Sequence, residues 1–373
     1  MGGVLLIVGT TLGGGMLALP LVTLEAGVLP TFLLFIIAWF LMTLAAFYLL
    51  KVSFTLPRGT NMISMAQATL GKPGQIVTWV SYLMLLYCLL AAYISGGADL
   101  LQNLLLLFDV KLAHWISVLL FAGCFGAIIF QGIKTVDLAN RGLMAIKLGS
   151  FAVLIFLLST HMTVRNLEVS HFSQLPSAIL VVITSFGFAV IIPSLRDYFE
   201  EDEQAMTRAV WIGSLIPLIC YVLWIVVVLG VLPQGSHLQV LSELLTQLSA
   251  VAHVTLLNDV VRLFTYICIT TSFLGVSLAL TDFVADGFNL ARVGKSRWTI
   301  MGITYLPPLV MVLFYPAAFV HGLSLAGVFC IVLLMLLPAL MMRKVSAKHH
   351  WLIWIEIAAS LGLLLFAVIR YKA

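Results

Sequence analysis

Eleven runs of roughly twenty apolar residues, joined by short polar loops, leave this chain few ways to fold. A helix needs ~20 apolar residues to cross the hydrocarbon core of a bilayer. The runs lie near 2–24, 30–50, 76–106, 115–133, 141–160, 176–195, 209–232, 258–288, 299–315, 319–341 and 351–370. In lipid every backbone N–H and C=O must be satisfied internally, so only helices and closed barrels span a membrane. Runs this long, without strict alternation of apolar and polar residues, are helical. Charged residues make up 9% of the chain, against about 25% in a soluble domain, and no loop is long enough to fold alone. The reading is an all-α polytopic membrane protein, one transmembrane domain over 1–373 with about eleven helices.

The third and eighth runs are long enough to imply tilt or extension beyond the bilayer. Thirteen of the nineteen Lys and Arg residues fall in one set of loops and five in the opposite set. That bias puts the N-terminus in the cytoplasm and the C-terminus outside. The first run reads as a span and not as a signal peptide, since no positive segment precedes it and no hydrophilic domain follows. The net charge of +4 is spread over short loops, which argues against a nucleic-acid partner. Cys88, Cys124, Cys220, Cys268 and Cys330 stand singly inside apolar runs, so they read as core residues, with no metal or cofactor expected.

Two runs are interrupted. Gly9-Thr10-Thr11-Leu12-Gly13-Gly14-Gly15-Met16 sits inside the first and Thr184-Ser185-Phe186-Gly187-Phe188 inside the sixth, each followed by a proline, Pro20 and Pro193. Glycine weakens a helix and lets backbone approach a ligand. Irregular backbone at membrane depth is tolerated where it is buried in protein or lines a wet cavity. Small residues also serve close helix packing, and that alternative stands beside the functional one. Breaks in spans one and six match an inverted repeat of five plus five spans, about 1–160 and 176–341, with an extra helix at about 351–370. The midpoints of spans one, three, six and eight fall near Leu12, Tyr87–Ala91, Phe186 and Ser272, so these groups share one depth.

Lys147 lies about two turns inside span five. An intramembrane lysine is a functional-site candidate by default, although its long side chain could instead snorkel to the interface. Asp99, Glu25 and Asp259 lie toward the external ends of spans, as gate or wetted-rim groups. Asp282 and Asp286, one turn apart near the inner end of span eight, read either as lining the cytoplasmic exit or as pairing with Arg292 or Lys295. The charge run 196–208 reads as a solvated turn, and 233–257 as a longer external loop holding a helix over Leu238 to Leu248. No His-Glu-x-x-His motif occurs, and no Lys-Ser or Lys-Thr follows the glycine run, so neither a zinc hydrolase nor a phosphate loop is indicated. Charged rings or a repeated filter, the marks of a channel, are absent from the sequence.

The first-span motif through Leu17-Ala18-Leu19-Pro20 resembles that of the bacterial hydroxy/aromatic amino acid permeases. So do the sixth-span motif, Thr271-Ser272-Phe273-Leu274-Gly275-Val276, Leu306-Pro307-Pro308 with Leu313-Phe314-Tyr315-Pro316, and Ala91-Ala92-Tyr93-Ile94-Ser95-Gly96. The likeness covers nearly the whole chain. One departure is Ala189, where the family pattern has His. The resemblance implies the amino acid–polyamine–organocation superfamily, with a fold of leucine-transporter type and discontinuous helices 1 and 6. It implies a bacterial inner-membrane transporter, not an enzyme, that imports an aromatic amino acid with protons by alternating access. Tyrosine comes first, then tryptophan or phenylalanine.

Half-helix N-termini suit a substrate carboxylate, which points to Gly13, Gly14, Gly15 and Met16. Unwound carbonyls near Thr10 and Thr11, with Thr184 and Ser185, suit the ammonium. Tyr87, Phe186 and Phe188 are the expected aromatic walls. By the same resemblance Lys147 takes the place that sodium-coupled members give to an ion, with Thr271 and Ser272 as hydroxyl neighbours. The alternative is a sodium-coupled symporter of the same fold, its ion held by those hydroxyls and span-one carbonyls.

Overall fold

The computed structural model describes residues 2–131, 133–168, 170–200, 202–233, 238–252, 255–291, 294–315, 318–345 and 350–372. Sixteen α-helices are described: α1 Gly2–Thr11, α2 Gly14–Thr23, α3 Val28–Phe54, α4 Met62–Leu106, α5 His114–Gln131, α6 Ile133–Ser159, α7 Val164–Leu167, α8 Ile179–Ser185, α9 Ile192–Tyr198, α10 Glu203–Val231, α11 Leu241–Ala252, α12 Thr255–Gly287, α13 Gly294–Phe314, α14 Ala318–Cys330, α15 Leu337–Val345 and α16 His350–Lys372. Among the described residues ten helices or joined helices are long and apolar enough to cross a membrane, and α1 with α2 forms an eleventh, bent by 46°. The only β pairing among them is one bridge between Gly27 and Ser170.

The expected breaks are present and differ in kind. In span one, Gly13 is extended (φ −149°, ψ −150°), and α2 restarts at Gly14. In span six, α8 ends at Ser185, and a 3₁₀ turn over Phe188–Ile191 leads into α9, with Pro193 in its first turn. The second interruption is therefore a tightened helix and not an extended gap. The broken spans sit at the centre, where α2 packs against α8, α10, α12 and α14, and α8 packs against α14 and α3.

The helix of span three starts well before the apolar run. Helix α4 begins at Met62, capped by Asn61, and turns at Gly71, whose φ of 74° favours glycine. Span ten carries a π-helical turn over Ile331–Leu336, which the sequence reading did not foresee. Asp99 is committed to a neighbour: its carboxylate accepts the Ser242 N–H (2.7 Å) and hydroxyl (2.8 Å), capping α11. That helix buries Leu241, Leu244, Leu245 and Leu248 against the bundle, which makes it a packed cap and not a loose loop. The solvated-turn reading of 196–208 holds for Asp197 but not for Arg196, which is buried and donates to the carbonyls of Ser53 and Leu56 at the end of α3. Cys124 is exposed, where the sequence reading had it in the core. Arg292 lies outside the described residues.

Candidate functional site

A cavity of about 430 Å³ opens where the two breaks meet. Of the residues singled out in the sequence, Thr10, Thr11, Gly13, Gly15, Thr184, Ser185, Lys147, Thr271 and Ser272 line it. Gly14 is outside the lining, its N–H donated to the Ser272 hydroxyl at 2.8 Å. Much of the remaining wall comes from Tyr82, Leu85, Leu86, Leu89 and Tyr93 of α4, Met144 of α6, Gly275, Val276 and Ala279 of α12, and Cys330 of α14.

Breaking span one frees carbonyls, and those of Thr11 and Leu12 go to specific side-chain donors. In a continuous helix the Leu12 carbonyl would accept the Met16 N–H. Here the Met16 N–H bonds to the Gly13 carbonyl (3.1 Å), and the Lys147 ammonium takes the Leu12 carbonyl at 2.6 Å. Lys147 is 3% exposed, so it does not snorkel, and its Nζ lies 3.5 Å from the Thr271 hydroxyl. One side-chain nitrogen thus joins spans one, five and eight. Pro20 has no N–H, so it leaves the Met16 carbonyl free, and the Trp224 indole N–H donates to it at 3.1 Å. Met16 itself is buried and does not line the cavity.

Tyr221 of α10 ties the breaks together. Its hydroxyl lies 2.7 Å from the Thr11 carbonyl and 2.8 Å from the Ser185 carbonyl, one from each interruption. A phenol carries one hydrogen, so it is donated to one of the two at a time. Sequence reasoning missed Tyr221 and Trp224 because span seven is unbroken. The available signal was a tyrosine with a polar tip at the centre of an apolar run. Tyr93 stood in a recognised motif, yet only the structure puts it on the wall.

The three aromatic residues expected to form walls lie elsewhere. Phe186 is fully buried, edge-on to Phe35 and Tyr221 behind the break. Phe188 is also buried outside the cavity lining. Tyr87 donates to the Ile303 carbonyl at 2.8 Å, the acceptor that Pro307, four residues on, cannot use. Ala189 is buried and does not reach the cavity.

From the breaks the cavity extends toward the face where α1 begins, between Leu5, Leu6, Ser194 and Ala279. On the opposite side Phe319 packs over Gly96, and α11 lies against α2, α4 and α12.

Residues 1–371 match the tryptophan/tyrosine permease family. The chain is 34% identical to "Tyrosine-specific transport system 1" of Haemophilus influenzae, over 94% of this chain and 89% of that protein. It is 30% identical to the "Tryptophan-specific transport protein" of the same organism, over 93% and 88%. Among solved structures, the crystal structure of MhsT in complex with L-phenylalanine superimposes with a TM-score of 0.68 over 98% of both chains, at 15% identity. That likeness shows the fold: eleven spans of leucine-transporter type, with helices one and six discontinuous.

Proposed function

The chain belongs to the tryptophan/tyrosine permease family, and from that premise we propose that it imports aromatic amino acids, tyrosine first, by proton symport. The family is one of transport proteins and not of enzymes. The observation that carries the proton reading is the Lys147 ammonium on the Leu12 carbonyl. A fixed cation there occupies the point where unwound carbonyls and hydroxyls would otherwise gather a sodium ion. Loss of its proton removes the charge that holds spans one, five and eight together.

The substrate binds at the two breaks. Its carboxylate faces the start of α2 at Gly13, Gly14 and Gly15, where the helix dipole favours an anion. Its ammonium faces the Thr11 and Ser185 carbonyls, whose second lone pairs remain to accept it, with Thr10, Thr184 and the Ser185 hydroxyl beside them. Tyr93 supplies an aromatic wall near this level. The first five spans, about 1–160, and the next five, about 176–341, form the two repeats, and a bundle containing spans one and six rocks against the rest. The protein sits in the bacterial inner membrane with its N-terminus cytoplasmic and C-terminus periplasmic, as the Lys and Arg bias supports. The cavity then faces the cytoplasm.

Uptake of labelled tyrosine into proteoliposomes under an imposed pH gradient, with and without sodium, tests this. Saturable accumulation driven by the pH gradient alone is expected, with tryptophan and phenylalanine competing. Uptake that requires sodium would pass the coupling role to Thr271 and Ser272.

A further inference from the structure

We propose that Gly275 of α12 is the specificity-determining position that admits the ring of an aromatic substrate. The proposal rests on the reading of the cavity as an amino acid site and adds where the side chain lies. Five glycines line the cavity: Gly9, Gly13, Gly15, Gly187 and Gly275. Four have a packing reason. A Cβ on Gly9 would strike Met144, and one on Gly13 would strike the Ser272 hydroxyl. At Gly15 a Cβ would lie 3.1 Å from the Ser185 hydroxyl, and at Gly187 it would lie 3.0 Å from the Thr184 carbonyl. At Gly275 a Cβ would meet nothing within 4 Å.

Nor does the backbone ask for glycine there. Gly275 lies inside a continuous helix of 33 residues, where glycine weakens the helix relative to alanine. Open space before a glycine is ordinary on a lipid-facing surface, as at the exposed Gly149 and Gly302, which do not line the cavity. Gly275 is likewise exposed, but it is one of the residues that line the cavity. The position is three residues beyond Ser272, so about 4.5 Å further along the helix toward the N-terminal face. Leu85, Leu86 and Leu89 of α4 line the same cavity, with Val276 and Ala279 next to Gly275 on α12. The lining one step below the level of the breaks is therefore mostly apolar, with the Tyr82 ring also on α4, and it lacks a side chain at Gly275. A planar ring attached to an amino acid held at the breaks fills that space, whereas a small aliphatic side chain would leave it empty.

The test is a Gly275→Ala and Gly275→Val series in proteoliposomes. It reads inhibition constants of tryptophan, tyrosine, phenylalanine and alanine against labelled tyrosine uptake. The proposal expects Gly275→Val to weaken the three aromatic competitors about tenfold or more, tryptophan most, with alanine unchanged or improved. Gly275→Ala, which adds one methyl into open space and favours the helix, keeps its melting temperature and shows the same order with a smaller shift. A tryptophan-to-alanine ratio within about twofold of wild type in both variants would overturn the assignment. So would a parallel weakening of all four competitors. Wild-type protein that no aromatic amino acid inhibits would instead overturn the site reading on which the proposal stands, so the two failures are distinguishable.

Discussion

Lys147 is costly to place at membrane depth, and its surroundings account for its tolerance there. The ammonium has a backbone acceptor that exists only because span one is broken, and a hydroxyl from span eight stands nearby. Other polar tips in the spans follow the same logic of filling a vacated acceptor. Tyr87 completes the carbonyl that Pro307 leaves open, and Trp224 completes the one that Pro20 leaves open. Tyr87 therefore belongs to the scaffold. Tyr87→Phe is expected to lower stability by about 1 kcal/mol and leave the KM for tyrosine unchanged, as thermal unfolding in detergent and initial-rate uptake would record. A several-fold rise in KM with stability intact would put Tyr87 back in the site.

Among the helices, the two breaks are held as a pair by span seven. Tyr221 packs edge-on to Phe35 and Phe186 while its hydroxyl bridges the Thr11 and Ser185 carbonyls. Tyr221→Phe keeps the ring but leaves both buried carbonyls without that donor, at a cost of about 1–3 kcal/mol. The expected outcome is a lower melting temperature together with a raised KM, because the two halves of the site lose their common anchor. An unchanged KM would mean that the breaks are aligned without it. This is also where the sequence was only partly legible. Glycine and hydroxyl residues inside apolar runs marked both interruptions, and a lysine with no charged neighbour marked span five. Which aromatic residues face the cavity was not legible: Phe186, Phe188 and Tyr93 are all apolar-run aromatics near one depth, and helix rotation decides among them. Tyr221 and Trp224 answer to carbonyls on other spans, a relation that no local pattern carries.

Taken as one body, the molecule has a cavity that reaches one face, while the opposite path is covered by α11, which Asp99 caps. Ser194 lies in the exposed part of the lining. A Ser194→Cys variant should therefore react with a membrane-impermeant thiol reagent added at the N-terminal face and resist it from the other, with tyrosine slowing the reaction. Equal labelling from both faces would contradict a cavity open to one side. Apolar runs set the number of spans, and the spacing of the breaks set their roles, so architecture was the most readable level of this chain. The kink at Gly71 and the π turn in span ten were not readable in the same way. Proton symport is read straight from tyrosine-induced proton entry, followed with a pH-sensitive dye trapped in proteoliposomes without sodium. Internal acidification is expected when tyrosine is added outside wild-type protein. None is expected with Lys147→Met, which should still exchange labelled for unlabelled tyrosine. Acidification by Lys147→Met at the wild-type rate, or tyrosine entry into wild-type vesicles with no proton movement, would contradict this coupling.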